Sequence, residues 1–252
     1  MPAMGEVEWI LAGLFLLVAV LYSSVGHAGA SGYLAAMALL GFAPEQMRPT
    51  ALALNLLVGG IGLYRFHRAG LVDFRKVLPF VLASAPAAYF AARYPIDKAS
   101  YSLLLGGLLL VSAVAVWRSA ARLSEDDAGV VLRPVRWLPA LAAGAAIGTL
   151  SGLTGTGGAI FLTPLLLLMR WTHSREASGV SVAFVWINSA LGLAGLWSAT
   201  GALPAALPGW LLAVGVGALL GTQLGIHRLP LKGLRQALAL VLLVAAGKLL
   251  LG

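Results

Sequence analysis

The chain has 252 residues, 60% of them hydrophobic and 10% charged, with a mean hydropathy of +0.92, which excludes an ordinary soluble domain. A net charge of +8 would suggest a nucleic-acid partner in a soluble protein, but here the basic residues fall between apolar stretches and act first as topology signals, so no nucleic acid is expected. The absence of cysteine excludes disulfides, thiolate metal sites and cysteine catalysis.

What remains is an all-α integral membrane protein with lipid as its solvent. Uncharged stretches cover 9–44, 49–64, 77–92, 99–117, 137–169, 177–227 and most of 234–252, and several reach the roughly 20 residues a spanning helix needs. They lack the alternation of a barrel strand, so helices must satisfy the backbone in lipid. The leading segment "MPAMGEVE" carries Glu6 and Glu8 and no Lys or Arg, unlike a signal peptide, so the first stretch reads as a retained helix.

The stretches 9–44 and 137–169 hold 36 and 33 residues, too many for one span and too few for two full ones. Each is expected to break into a helix and a short re-entrant or half-spanning helix, "YLAAMALLGF" in the first and "AIFLTPLLLLM" in the second. The loops test this. With both stretches as hairpins, Arg65, Arg68, Arg75, Lys76, Arg118, Arg122, Arg133, Arg136, Arg170, Arg175, Arg228, Lys232 and Arg235 share one side, and only Arg48, Arg93, Lys98 and Lys248 face the other, a split of 13 to 4. Single crossings would give 9 to 8. The chain therefore reads as about ten membrane segments: a first five-segment repeat over 1–117, an interior linker over 118–136, and a second, inverted repeat over 137–252 with both termini outside.

An inverted repeat should leave a trace. Gly26, Gly29 and Gly32 in "SSVGHAGASG" share a spacing with Gly152, Gly155 and Gly158 in "SGLTGTGG". The only two asparagines open matching patterns, Asn55 with Gly59 and Gly62, and Asn188 with Gly192 and Gly195. Pro79 and Pro208 each open a fourth segment. The offsets are 126, 133 and 129, so the order of landmarks is firmer than any residue register.

These residues carry a resemblance. Gly41 with Pro44, then Thr50, then Arg65, Ala69, Gly70, Val72, Asp73 and Arg75, followed in the second half by "GLTGTGGAIFLTPLLLL", resemble the TauE/SafE sulfite exporter family of membrane permeases over almost the whole chain. The first turn departs from the family's glycine-richer pattern at His27, Ala28 and Ala30. The resemblance implies export or uptake of sulfite, thiosulfate, sulfonates such as sulfoacetate, or related small anions.

Chemically, a chain break in a membrane leaves amides unpaired, tolerable only inside protein or along a wet cavity. Glycine permits close approach, and amides at a following helix N-terminus present donors and partial positive charge to an oxyanion. The expected substrate site is therefore Ser24, Gly26, His27, Gly29, Ser31 and Gly32 at one break and Thr154, Gly155, Thr156, Gly157 and Gly158 at the other, the two tips meeting near mid-depth. Asn55, Asn188 and Ser181 would line it, Asn188 sharing a helix face with Ser178, Ser181, Val185, Gly192 and Gly195. Close helix packing and interhelical hydrogen bonding are the plainer roles for the same residues, and they suit Gly59, Gly62, Gly192 and Gly195 best. His27 reads as the one ionisable group deep in a span, open to proton coupling, anion contact or simple backbone capping. Arg65, Arg68, Arg75 and Asp73 are read as interior-surface residues, Arg48 and Arg93 as outward ones, and Trp9, Trp117, Trp137, Trp171 and Trp210 as interfacial anchors.

Asp73, Asp97 and the cluster Glu125, Asp126 and Asp127 fall in loops, and His67, His173 and His227 lack metal-ligand spacing, so no catalytic residue, cofactor or metal is expected. Taken with the resemblance, which implies a secondary transporter in a prokaryotic cytoplasmic membrane, the expected partners are a small anionic substrate and membrane lipid, with homo-oligomerisation left open. A channel-like anion facilitator or a non-transporting membrane scaffold are the alternatives.

Overall fold

The computed structural model describes residues 4–121, 131–200, 203–226 and 232–251, and among them there are ten α-helices and no strand. Helices α1 (Met4–Ser23) and α2 (Ala30–Leu39) divide the first long apolar stretch, as α6 (Trp137–Thr154) and α7 (Ala159–Leu168) divide the second. After α2 come α3 (Pro44–Arg68), α4 (Phe74–Arg93) and α5 (Lys98–Ala121). After α7 come α8 (Ser174–Thr200), α9 (Leu207–Ile226) and α10 (Lys232–Leu251). Five of them, α1, α5, α6, α8 and α9, are long and apolar enough to cross a bilayer. Helices α2 and α7 have ten residues each, about 15 Å of rise.

Local chemistry sets these boundaries. Pro44 occupies the first turn of α3, where its missing N–H costs nothing. Asp73 caps α4 by accepting the Arg75 amide at 2.9 Å. Gly155, at φ 81°, ends α6 in the left-handed region that a side chain resists. Leu103, Leu138, Leu212 and Val244 stand exposed on the outside of the bundle, a surface suited to hydrocarbon rather than water.

Two glycine seams hold the bundle together. A methyl at Gly144, Gly148 or Gly152 of α6 would collide with the carbonyl of Phe80, Ser84 or Ala88 of α4. Gly217, Gly221 and Gly225 of α9 meet the carbonyls of Leu16 and Val20 of α1 and of Ser24 just past its end in the same way. In both pairs the contacts climb together along the two chains, so the paired helices run parallel, at the backbone separation that small residues allow in membranes. Helix α5 packs on α10, and α3 on α8.

Several segments and side chains lie elsewhere than the sequence predicts. The uncharged run 177–227 spans two helices, and α3 starts five residues ahead of its uncharged stretch. Trp9, Trp117 and Trp137 are exposed as anchors should be, but Trp171 and Trp210 are buried. Trp171 packs on Phe80, with ring centroids 5.8 Å apart. Trp210 lies edge-on to Phe15 and donates its indole N–H to the Glu8 carbonyl at 3.2 Å. Arg48 lies within α3 rather than in a loop and is 6% exposed, so His27 is not alone as an ionisable group inside the protein. Residues 122–130 of the linker, with Glu125, Asp126 and Asp127, lie outside the described residues, as do His227 and Arg228.

Candidate substrate site

The first break, between α1 and α2, turns on Gly26 at φ 76° and Gly29 at φ 101°, the latter the N-cap of α2. Gly26 lies against Ser178 of α8 so tightly that a Cβ would enter that residue's backbone. His27 Nε2 is 2.8 Å from Thr163 Oγ1 on α7, and that hydroxyl is 2.6 Å from Ser181 Oγ on α8. Of the other predicted residues here, Ser24 donates to the Leu21 carbonyl at 2.7 Å, Ser31 pairs with the Tyr22 hydroxyl at 2.7 Å, and Gly32 packs under Val18 and Tyr22.

At the second break, between α6 and α7, Gly155, Gly157 and Gly158 all have positive φ, and Gly158 is the N-cap of α7. Gly155 rests on Arg48 of α3, and a Cβ there would sit 3.1 Å from the Arg48 Cα. Gly157 faces Asn55 of α3 with Val185 and Ser189 of α8, and Gly158 faces Ile147 and Phe184. Asn55 Nδ2 donates to Ser189 Oγ at 3.2 Å across the α3–α8 contact. Thr154 donates back to the Leu150 carbonyl at 2.6 Å, and its hydroxyl is 3.1 Å from that of Thr156. Asn188 donates to the Phe184 carbonyl of its own helix at 3.0 Å.

Backbone geometry supplies the register that residue identity leaves loose. Positive φ at residues 26, 29 and 41 recurs 129 positions later at 155, 158 and 170, the last being Arg170, the non-glycine residue in this region. Gly26 and Gly29 therefore match Gly155 and Gly158, and not Gly152 and Gly155. Gly152 belongs to the α6–α4 seam. The contacts repeat as well, since Gly26 rests on Ser178 and Gly155 on Arg48, 130 positions apart.

Helix α8 is the ruler for both breaks. Along it, Ser178 and Ser181 lie toward the first break and Val185 toward the second, while Gly192 packs against Leu52 and Gly195 against Tyr89. The breaks do not meet tip to tip, however. They are displaced along α8 by the seven residues from Ser178 to Val185, about 10 Å, and His27 of the first break reaches α7 near its middle, at Thr163.

Both breaks present the same chemistry. Residues 28–31 and 156–160 are buried, and no backbone carbonyl among the described residues accepts their amides. Buried amides seldom go unpaired, so two clusters of them at two helix N-termini amount to built-in donors for an oxyanion. Ser23 Oγ, Ser151 Oγ, Asn55 Oδ1 and Asn188 Oδ1 are also buried near these segments without a hydrogen-bond partner. Thr163, Ser189 and Arg48 escaped the sequence reading. Thr163 was detectable as the single hydroxyl in an otherwise apolar α7, by the rule that picked out the asparagines.

A sequence model of the family described as "Sulfite exporter TauE/SafE" matches residues 11–249, from α1 through α10 and across both breaks. The chain is 40% identical over 240 residues to the probable membrane transporter protein y4hK of Sinorhizobium fredii (strain NBRC 101917 / NGR234), an alignment covering 95% of this chain and 97% of that one. No solved structure matches it. With the apolar exterior and the helical bundle, these likenesses point to an integral membrane transporter rather than an enzyme, and the chain belongs to the TauE/SafE sulfite exporter family.

Proposed function

We propose that the protein carries small sulfur-containing anions, namely sulfite, thiosulfate, sulfoacetate or related organosulfonates, across a prokaryotic cytoplasmic membrane by alternating access. The observation that carries this reading is the pair of buried, unaccepted amide clusters at 28–31 and 156–160. A sulfur oxyanion fits such donors because each oxygen takes several hydrogen bonds, and the helix N-termini add partial positive charge.

The parallel running of α4 with α6 and of α1 with α9 supports two inverted five-segment halves, since alternating segments make α6 parallel to α4 only if the second half begins in the opposite sense to the first. The 129-residue recurrence of left-handed turns supports the same relation. With the breaks displaced along α8, the anion passes from one amide cluster to the other as the halves rock. Asn55 and Ser189 flank the second cluster, and His27, Thr163 and Ser181 flank the first. Re-entrant placement of α2 and α7 and exterior termini belong to this reading.

A thermal-shift screen of purified protein against sulfite, sulfate, thiosulfate, sulfoacetate, taurine and simple carboxylates tests it, because a ligand that prefers the folded state raises the apparent Tm. At least one sulfur oxyanion should raise Tm in a saturable way, and the same anion should show counterflow in proteoliposomes. No shift with any of them, or shifts only with carboxylates, defeats the assignment. Flux without saturation or counterflow favours the channel.

A further inference from the structure

We propose that Arg48 is a specificity-determining residue of the second break, supplying the fixed positive charge by which the carrier prefers a net-negative solute over a neutral one of the same size. This rests on the anion-transport reading above.

Arg48 is 6% exposed, yet among the described residues no carboxylate lies within 4 Å of it; the ion pair found there joins Lys76 and Glu176 at the starts of α4 and α8. A buried charge is retained only where something compensates it. Nη2 donates to the Ala92 carbonyl at 2.8 Å and the Gly152 carbonyl at 3.0 Å, in the last turns of α4 and α6. These groups solvate the guanidinium without neutralising it. Nε is buried with no partner. The same residue's backbone carries Gly155, and the unaccepted amides begin at the next position, 156. A guanidinium with no carboxylate in contact, an unused donor and a row of free amides thus adjoin one turn. At the first break the matching position is Ser178, which is uncharged, so the fixed charge belongs to one break only.

The rival role is a staple, in which Arg48 merely ties α3 to the ends of α4 and α6. The two roles differ in how an effect depends on substrate charge. Sulfoacetate and taurine are similar in size, but one is a dianion and the other a zwitterion without net charge. Apparent Kd for each, from thermal-shift titration of wild type, Arg48→Gln and Arg48→Lys in one detergent and buffer, reads the preference directly.

Arg48→Gln should weaken sulfoacetate binding about tenfold or more while taurine changes by less than about threefold, as loss of a charge-assisted contact implies. Arg48→Lys, which keeps the charge with a poorer hydrogen-bonding geometry, should hold the sulfoacetate-to-taurine ratio within about threefold of wild type. Equal weakening of both ligands by Arg48→Gln, no change in either, or failure of both variants to fold would make Arg48 a staple and overturn the proposal. Wild-type protein that binds no anion at all would instead defeat the transport reading on which it stands.

Discussion

The two chain breaks share a backbone and differ in what hangs from it. Gly26 and Gly29 make the same left-handed turns as Gly155 and Gly158 and leave the same amides free, yet the first break carries the His27 ring bonded to Thr163, and the second carries Thr156, a third left-handed glycine and the neighbouring Arg48. What recurs is the geometry that exposes donors. The side chains around it have diverged, so the two breaks offer different chemistry around a shared set of donors.

The largest effect is expected where the breaks differ in backbone demand. Gly157 holds φ 75°, and a Cβ there would lie 2.6 Å from Asn55 Nδ2 and collide with Val185. At the matching first-break position stands Ala28, which has no positive φ. Gly157→Ala combines a left-handed penalty of about 1–2 kcal/mol with that collision, and proteoliposome flux should fall to background. Flux near wild type would mean that the second break tolerates the conformation of the first. The reverse change is milder. Ala28→Gly loses one buried methyl and loosens the unfolded chain, together about 1–2 kcal/mol of stability, and it should keep most of its flux.

Between these sits Thr163, which belongs to the first break's side-chain network alone. Thr163→Val removes the hydroxyl that joins His27 to Ser181, taking a hydrogen-bond partner from the buried Ser181 hydroxyl at about 1–3 kcal/mol. It should lower both Tm and flux several-fold, and Thr163→Ser should restore both. An unaffected Thr163→Val protein would show that this hydrogen-bonded chain is incidental to the first break.

The position of both breaks was legible in the sequence, because a 36-residue and a 33-residue uncharged run cannot be one span or two, and the basic loops chose the hairpin. The α8 face was legible too, since Ser178, Ser181 and Val185 recur at helical steps. The repeat register was not. Glycine serves two purposes here, bending the chain at 155 and admitting the α4 backbone at 152, and a sequence shows both only as glycine. The seams hid the repeat further. One places its glycines on α6, the first helix of its half, and the other on α9, the fourth of the same half, where an exact repeat would put them on α6 and α1 or on α4 and α9. Close approach requires small residues on one partner, and either will do. The burial of Arg48 was not legible, because a basic residue near a span boundary reads as a loop charge, whereas here its guanidinium is tucked against the ends of α4 and α6.

The asparagines give the finest distinction between the breaks. Their matched spacing to glycine suggests a symmetric pair, but the contacts at Ser178 and Arg48 set α3 against α8 at 130 residues, and the asparagines are 133 apart. Asn55 thus corresponds to Val185 and faces Gly157 while bonding Ser189 across the helices, whereas Asn188 spends its amide N–H on its own helix. Asn55→Ala should cost about 1 kcal/mol or less through the lost interhelical bond, and it should weaken anion affinity several-fold because the lost amide flanks the second cluster. Asn188→Ala removes no interhelical bond and should change affinity less than about twofold. Titration of both variants with the anion that shifts wild-type Tm checks the order. Equal losses would restore the asparagines to a symmetric pair lining one shared site, and the second break would lose its claim to a separate chemistry built on α3.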